Sequence, residues 1–218
     1  MCLNIGKVII MLPVFIWDLD GTLLDSYGII VNSLYETYLE KGVVLDKETI
    51  HREIIRTSVS DFIMKLEKEY GIPFDALKDR YSLLSRQEKL NIKAMKHAYE
   101  ILKYLNDKGI DNYVYTHRGV STKDVLQNIG IEGFFKDIIN SQSGFPRKPD
   151  PTALNHLVDK YHLDKNNTYY VGDRPIDIEC ANNAGVKSIL LLPEGGVGEA
   201  TGKEDIVIKD LLDIKNII

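Results

Sequence analysis

The sequence predicts an α/β protein: a parallel sheet with helices on both faces, into which an all-α block is inserted after the first strand. Three observations predict it. The run Val14-Phe15-Ile16-Trp17 is apolar, enriched in aromatic and β-branched residues, and stops abruptly at Asp18-Leu19-Asp20-Gly21, as a buried strand does when it leaves a sheet. From Asp25 to about Lys93 apolar residues recur only at helical spacing. From about residue 96 onward short apolar strands alternate with amphipathic helices, which implies parallel strands joined by right-handed crossovers.

In the helical block Ile29, Ile30, Leu34, Tyr38 and Leu39 share one face, and Gly42 closes the segment. Thr49 to Arg56 is a second helix. Ser60 is placed to cap a third over Asp61 to Tyr70, which Gly71-Ile72-Pro73 stops. Asp75 to Asn91 is a fourth, and no strand is expected in this region. His97 to Lys108 is then a helix ending at Gly109, and Tyr113-Val114-Tyr115 a strand. Ser121 caps a helix to Asn128, and Asp137-Ile138-Ile139 is a short strand. Pro151 opens a helix to Tyr161, since proline suits a first turn. Thr168 to Val171 is a strand, Ile176 to Ala184 a helix and Ser188 to Leu192 a strand. Ile206 to Ile208 is a last edge strand, with a short helix after it. The domains implied are a discontinuous α/β core over 1–24 and 94–218 and an all-α insertion over 25–93. The first ten residues read as a loose extension or an extra strand.

Composition narrows the function. A net charge of -5 argues against nucleic-acid binding, which needs a basic face, but leaves room for a local phosphate site. The apolar stretch Val8 to Trp17 is broken by Pro13 and runs into Asp18. It is too short to span a membrane, and no small-residue cleavage site follows it. With Cys2 and Cys180 the only cysteines, two free thiols in a reducing compartment are expected. The expectation is a cytoplasmic protein, without membrane or nucleic-acid partners, that is a monomer or a weak homo-oligomer.

Residues two apart on a strand share a face, so Asp18 and Asp20 point the same way at the strand's carboxyl end, the edge where open α/β sheets bind ligands. Two carboxylates there need compensation, and a cation supplies it. Thr116 directly follows Tyr113-Val114-Tyr115, and a hydroxyl at a strand end can donate to a phosphate oxygen. Lys148 stands in Arg147-Lys148-Pro149-Asp150-Pro151, held at a helix start, with Arg147 as an alternative cation. Asp173 and Asp177 flank the turn from a strand into a helix. Either alone reads equally well as a helix cap, but beside Asp18 and Asp20 a metal site is favoured. Asp25 and Ser26 read better as helix caps. His51, His97, His156 and His162 lie in helical segments without ligand spacing and read as structural.

Asp18-Leu19-Asp20-Gly21-Thr22-Leu23, Thr116, Lys148 with its prolines, and Gly172-Asp173-Arg174-Pro175-Ile176-Asp177 together resemble, in order, the four motifs of the haloacid dehalogenase superfamily. Thr22-Leu23-Leu24-Asp25-Ser26 is similar to the phosphoglycolate phosphatase-like subfamily with a helical C1-type cap. The resemblance implies a Rossmann-like core and a cap placed directly after the first motif. It also implies a Mg²⁺-dependent phosphatase of a small phosphorylated metabolite. On it, Asp18 is the nucleophile that forms an aspartyl phosphate, Asp20 the general acid and base, and Lys148 the neutralising cation. Thr116, His117 and Lys148 bind phosphate; Asp18, Asp20 (through its backbone carbonyl), Asp173 and Asp177 hold the metal. Two departures stand out: many relatives carry Asn where this chain has His117, and Ser where it has Arg174. Tyr27, Arg56 and Ser58 are candidate substrate contacts from the cap.

A cation is needed because a dianionic phosphate monoester repels a carboxylate nucleophile, by ~4 kcal/mol per charge pair at ~4 Å and an effective dielectric of ~20. Mg²⁺, a hard ion held by carboxylates, waters and phosphate oxygens, suits that place. Two other readings follow. A phosphotransferase or mutase of the β-phosphoglucomutase type passes the phosphoryl group to a sugar hydroxyl, so phosphate release without acceptor separates it. A non-catalytic phosphometabolite sensor is expected to have lost a motif Asp or the Lys, and none is missing.

Overall fold

The structure, a computed structural model, describes residues 12–218, so the expectation for the first ten residues and Cys2 lie outside the described residues. The chain runs β1 (Val14–Trp17), β2 (Leu24–Asp25), α1 (Tyr27–Leu39), α2 (Lys47–Arg56), α3 (Val59–Tyr70), α4 (Phe74–Gln87), β3 (Lys93–Ala94) and α5 (Ala98–Asp107). It continues through β4 (Asn112–Tyr115), α6 (Thr122–Asn128), β5 (Asp137–Ile139), α7 (Thr152–Tyr161), β6 (Thr168–Gly172), α8 (Pro175–Ala184), β7 (Lys187–Leu191) and β8 (Ile206–Ile208).

Six strands form one parallel sheet in the order β5-β4-β1-β6-β7-β8. The period-2 alternation of β1 divides the core. Phe15 and Trp17 face a cluster with Ile101, Leu102 and Leu105 of α5 and Val125 and Leu126 of α6. Ile16 faces the opposite cluster with Leu154 and Leu157 of α7 and Ala181 of α8. Helices therefore cover both faces, as parallel sheets require. The chain winds from β1 through β4 to β5, then crosses to β6 on the other side of β1. The switch point, where such sheets open a ligand crevice, lies between β1 and β6. No helix among the described residues is long and apolar enough to cross a membrane.

Helices α1 to α4 pack around a separate cluster built on Leu34, Tyr38, Ile50, Phe62, Ile63 and Leu77. Several local expectations are corrected here. A two-residue ribbon, β2 against β3, pairs Leu24 with Ala94 and Asp25 with Lys93, although no strand was expected; two residues are too few to carry a periodic signal. Ser58, not Ser60, caps α3: its backbone is extended and its Oγ accepts from the Asp61 N–H at 3.1 Å. The fourth helix ends at Gln87 and gives way to a 3₁₀ turn over Lys89–Asn91. Asp25 lies in β2 and is not a cap; Ser26 takes the N-cap position of α1, its carbonyl accepting from the Ile30 N–H at 3.0 Å, but its side chain makes no cap bond. Ser121 precedes α6, but its hydroxyl accepts from Arg118 at 3.2 Å instead of capping. The short helix after β8 is 3₁₀, over Leu211–Asn216. His97 precedes α5 in a left-handed conformation, φ 63, with Nδ1 2.7 Å from the Asp210 carboxylate.

Candidate active site

Strand register assembles the site. Trp17 pairs with Val114 of β4 and Val171 of β6, so β1, β4 and β6 end level, and Asp18, Thr116 and Asp173 emerge at the same sheet edge. Asp18 lies two residues past Ile16, and its N–H still donates to the Val171 carbonyl at 2.8 Å. Asp177 sits on the first turn of α8, buried, with its Oδ2 accepting from the Arg174 N–H at 3.2 Å. Among the described residues, Asp18, Asp173 and Asp177 form a buried group whose ligand oxygens lie within 4.8 Å of one another.

Lys148 enters this group from the segment ahead of α7. Its Nζ donates to Asp18 Oδ1 at 2.6 Å and to Asp177 Oδ1 at 2.7 Å, with no side-chain exposure. The rings of Tyr115 and Tyr170 flank the ammonium at 5.1 and 5.2 Å, a favourable cation–π arrangement. Arg147, the alternative, points elsewhere, with its guanidinium 3.2 Å from His117 Nδ1. One lysine does not neutralise three carboxylates. Burial raises the Asp18 pKa despite Lys148, and burial with the charges of Asp177 and Asp18 pushes Asp173 up to about 7. Burial also opposes ionisation of Asp177, but Lys148 and Arg174 hold its pKa below the ordinary carboxylate value. Asp18 Oδ2 is buried without a hydrogen-bond partner. An orphaned carboxylate oxygen facing two more carboxylates fits a hard divalent cation.

Asp173 is held from the other side. Tyr27 at the start of α1 donates to its Oδ2 at 2.6 Å, and Thr22 donates to its Oδ1 at 3.2 Å. Gly21, φ 87, makes that approach possible, because a Cβ there collides with the Asp173 carboxylate and the Tyr27 ring. Thr116 is buried, and its Oγ1 accepts from the Arg118 N–H at 3.1 Å, which leaves its hydroxyl proton free to donate. His117 Nε2 accepts from the Lys148 N–H at 2.8 Å. Burial and the charges of Lys148 and Arg147 push the His117 pKa down to about 2, so the ring is neutral.

Not every expected residue joins the group. The Asp20 side chain lies outside the carboxylate cluster and pairs with Arg118, whose Nη2 donates to Oδ1 at 2.6 Å and whose Nε lies 3.2 Å from the same oxygen. Burial raises the Asp20 pKa, but Arg118 outweighs it and holds the group ionised. Arg56 turns to solvent and pairs with Glu53 at 2.9 Å. Tyr27 bonds Asp173 as described, and Ser58 lines the cavity between the helices and the sheet edge. Sequence reasoning missed Arg118 as the partner of Asp20: the two are 98 residues apart, and no local pattern links them. It also missed Thr22, which shows locally only as one residue of the first motif.

Comparison with known proteins bears on the family and the fold. Residues 15–191 match the family model described as haloacid dehalogenase-like hydrolase. A phosphoglycolate phosphatase of Vibrio vulnificus is 27% identical over 215 residues, covering 93% of this chain and 94% of that protein. The pyrophosphatase PpaX of Halalkalibacterium halodurans is 28% identical over 217 residues, covering 93% and 96%. The crystal structure of a predicted phosphoglycolate phosphatase from Haemophilus somnus superposes with a TM-score of 0.83 at 22% identity, covering 94% of this chain and 97% of that one, and shares the fold.

Proposed function

The chain belongs to the haloacid dehalogenase-like hydrolase family, and from that premise we propose that it is a Mg²⁺-dependent phosphatase of a small phosphorylated metabolite, working through an aspartyl phosphate on Asp18. The observation that carries this reading is the buried, unpartnered Oδ2 of Asp18 among Asp173, Asp177 and Lys148. The relatives named phosphoglycolate phosphatase and pyrophosphatase support it. Asp18, Asp173 and the Asp20 backbone carbonyl would hold the ion, with Asp177 holding its water. When bound, the ion supplies the positive charge that lets a carboxylate approach a phosphate dianion.

Asp18 attacks phosphorus in line, and the O–P bond forms as the bond to the leaving oxygen breaks. Asp20 gives its proton to that oxygen. Water then attacks the aspartyl phosphate, yields its proton to Asp20, and releases phosphate with the Asp18 carboxylate restored. Arg118 holds Asp20 as a carboxylate, the form the second step needs, so protonation for the first step requires Asp20 to turn from Arg118. Thr116 and Lys148 hold the non-bridging oxygens. His117 accepts from the Lys148 backbone and thereby sets the loop that carries the lysine. Residues 25–93 act as the cap, with the β2–β3 ribbon as its base and the α1–α4 cluster as a core of its own.

The test is phosphate release from p-nitrophenyl phosphate and a panel of phosphomonoesters, with Mg²⁺ and with EDTA. Mg²⁺-dependent turnover that falls by about 10³-fold or more in Asp18→Asn, with circular dichroism unchanged, is expected. Equal turnover in the variant overturns the covalent mechanism.

A further inference from the structure

We propose that Arg174 is a further phosphoryl-binding residue, whose guanidinium takes non-bridging oxygens of the group transferred to Asp18 from the side of Asp177 opposite Lys148. Its part in turnover rests on the phosphatase reading above; the binding of phosphate by Arg174 does not.

The cavity between α1–α4 and the sheet edge, about 380 Å³ in volume, has Asp18, Thr116 and Arg174 in its wall. Arg174 directly follows Asp173 and precedes α8. Its backbone N–H is taken by Asp177 Oδ2 at 3.2 Å. Its side chain is only 12% exposed, yet its Nε is buried without a hydrogen-bond partner. The one ion pair it makes among the described residues is loose: Nε lies 3.9 Å from Asp177 Oδ2, too far for a hydrogen bond. The other cations in that wall are engaged. Arg118 donates to Asp20, Lys78 to the Ser60 hydroxyl and Arg86 to the Ser82 carbonyl, and Arg147 meets His117. Among the cations of that wall, only Arg174 has a side chain without a hydrogen bond to the described residues.

Asp177 does not require that guanidinium. Its Oδ1 accepts from Lys148 Nζ at 2.7 Å, and its Oδ2 from the Arg174 backbone. Buried donors are rarely left without a partner, and a guanidinium does not lose its charge in a protein. The group that suits it is an anion, and its position says which one. Lys148 Nζ joins Asp177 Oδ1 to Asp18 Oδ1, at 2.7 and 2.6 Å. Arg174 stands by the other oxygen of Asp177. The ligand oxygens of Asp18, Asp173 and Asp177 lie within 4.8 Å of one another, so a phosphoryl group on Asp18 is within reach of both cations. The planar fork of the guanidinium matches two phosphate oxygens at once, which an ammonium does not. Serine, which many relatives carry at this position, offers a single hydroxyl and no charge.

Calorimetry with inorganic phosphate at saturating Mg²⁺, and with Mg²⁺ alone, tests this on wild type, Arg174→Met and Arg174→Lys. Arg174→Met is expected to bind phosphate about tenfold or more weakly, and Arg174→Lys to recover part of the loss. Mg²⁺ affinity without phosphate is expected to hold or to tighten in Arg174→Met, because that change removes a like charge beside the carboxylates. Phosphate affinity that is unchanged in Arg174→Met overturns the proposal. So does a parallel loss of phosphate and Mg²⁺ affinity, which marks Arg174 as a brace for the carboxylates. Arg174→Ser supplies the same reading where Arg174→Met does not fold. Phosphate binding that depends on Arg174, in a wild type that hydrolyses no ester, defeats the phosphatase reading and leaves this proposal standing.

Discussion

Lys148 is the residue on which the site balances. Among the described residues it is the one ammonium shared by Asp18 and Asp177, and removing one partner of a buried charge network leaves the others uncompensated. Lys148→Met is expected to lower the unfolding free energy by about 3–5 kcal/mol in urea titration, besides abolishing turnover. A loss below about 1 kcal/mol indicates that water, not protein, solvates these carboxylates. Lys148 stood out in the sequence through its flanking prolines, and Asp18 through the apolar run that ends on it. Arg118 did not, because a guanidinium on a turn looks the same whether it meets solvent or, as here, the Asp20 carboxylate.

At the scale of elements, helix starts were legible where a capping side chain matched its backbone and ambiguous where two candidates stood close together. Ser58 and Ser60 both precede an amphipathic run, and only Ser58 has the extended backbone that lets its Oγ reach the Asp61 N–H. Ser58→Ala is expected to cost about 1 kcal/mol by thermal denaturation, with Ser60→Ala close to neutral; the opposite order contradicts the assignment. The strands of the sheet were legible because each is an apolar run bounded by turns. The β2–β3 ribbon was not, because its two-residue strands gain their partner only when the chain returns 68 residues or so later.

The whole molecule decides how the site responds to pH. In the metal-free protein Asp173 keeps its proton up to about 7, against 3.8 for the ordinary group. The folded state therefore binds more protons than the unfolded chain between these values, and stability falls as pH rises through that window. A divalent cation must displace that proton, so Mg²⁺ affinity by calorimetry is expected to be about tenfold weaker at pH 6 than at pH 8, with proton release at pH 6. Affinity independent of pH across this range removes Asp173 from the ligand set. The sequence by itself determined the alternating α/β order, the helical block after β1, and the order of Asp18, Thr116, Lys148 and Asp173, since burial and turn chemistry are written locally. Tertiary structure alone decided that β1, β4 and β6 end level, that Lys148 lies between two carboxylates, and that Arg118 takes Asp20. Those pairings join residues tens of positions apart, and the physical quantities that make them, register, burial and charge at close range, exist only once the chain is folded.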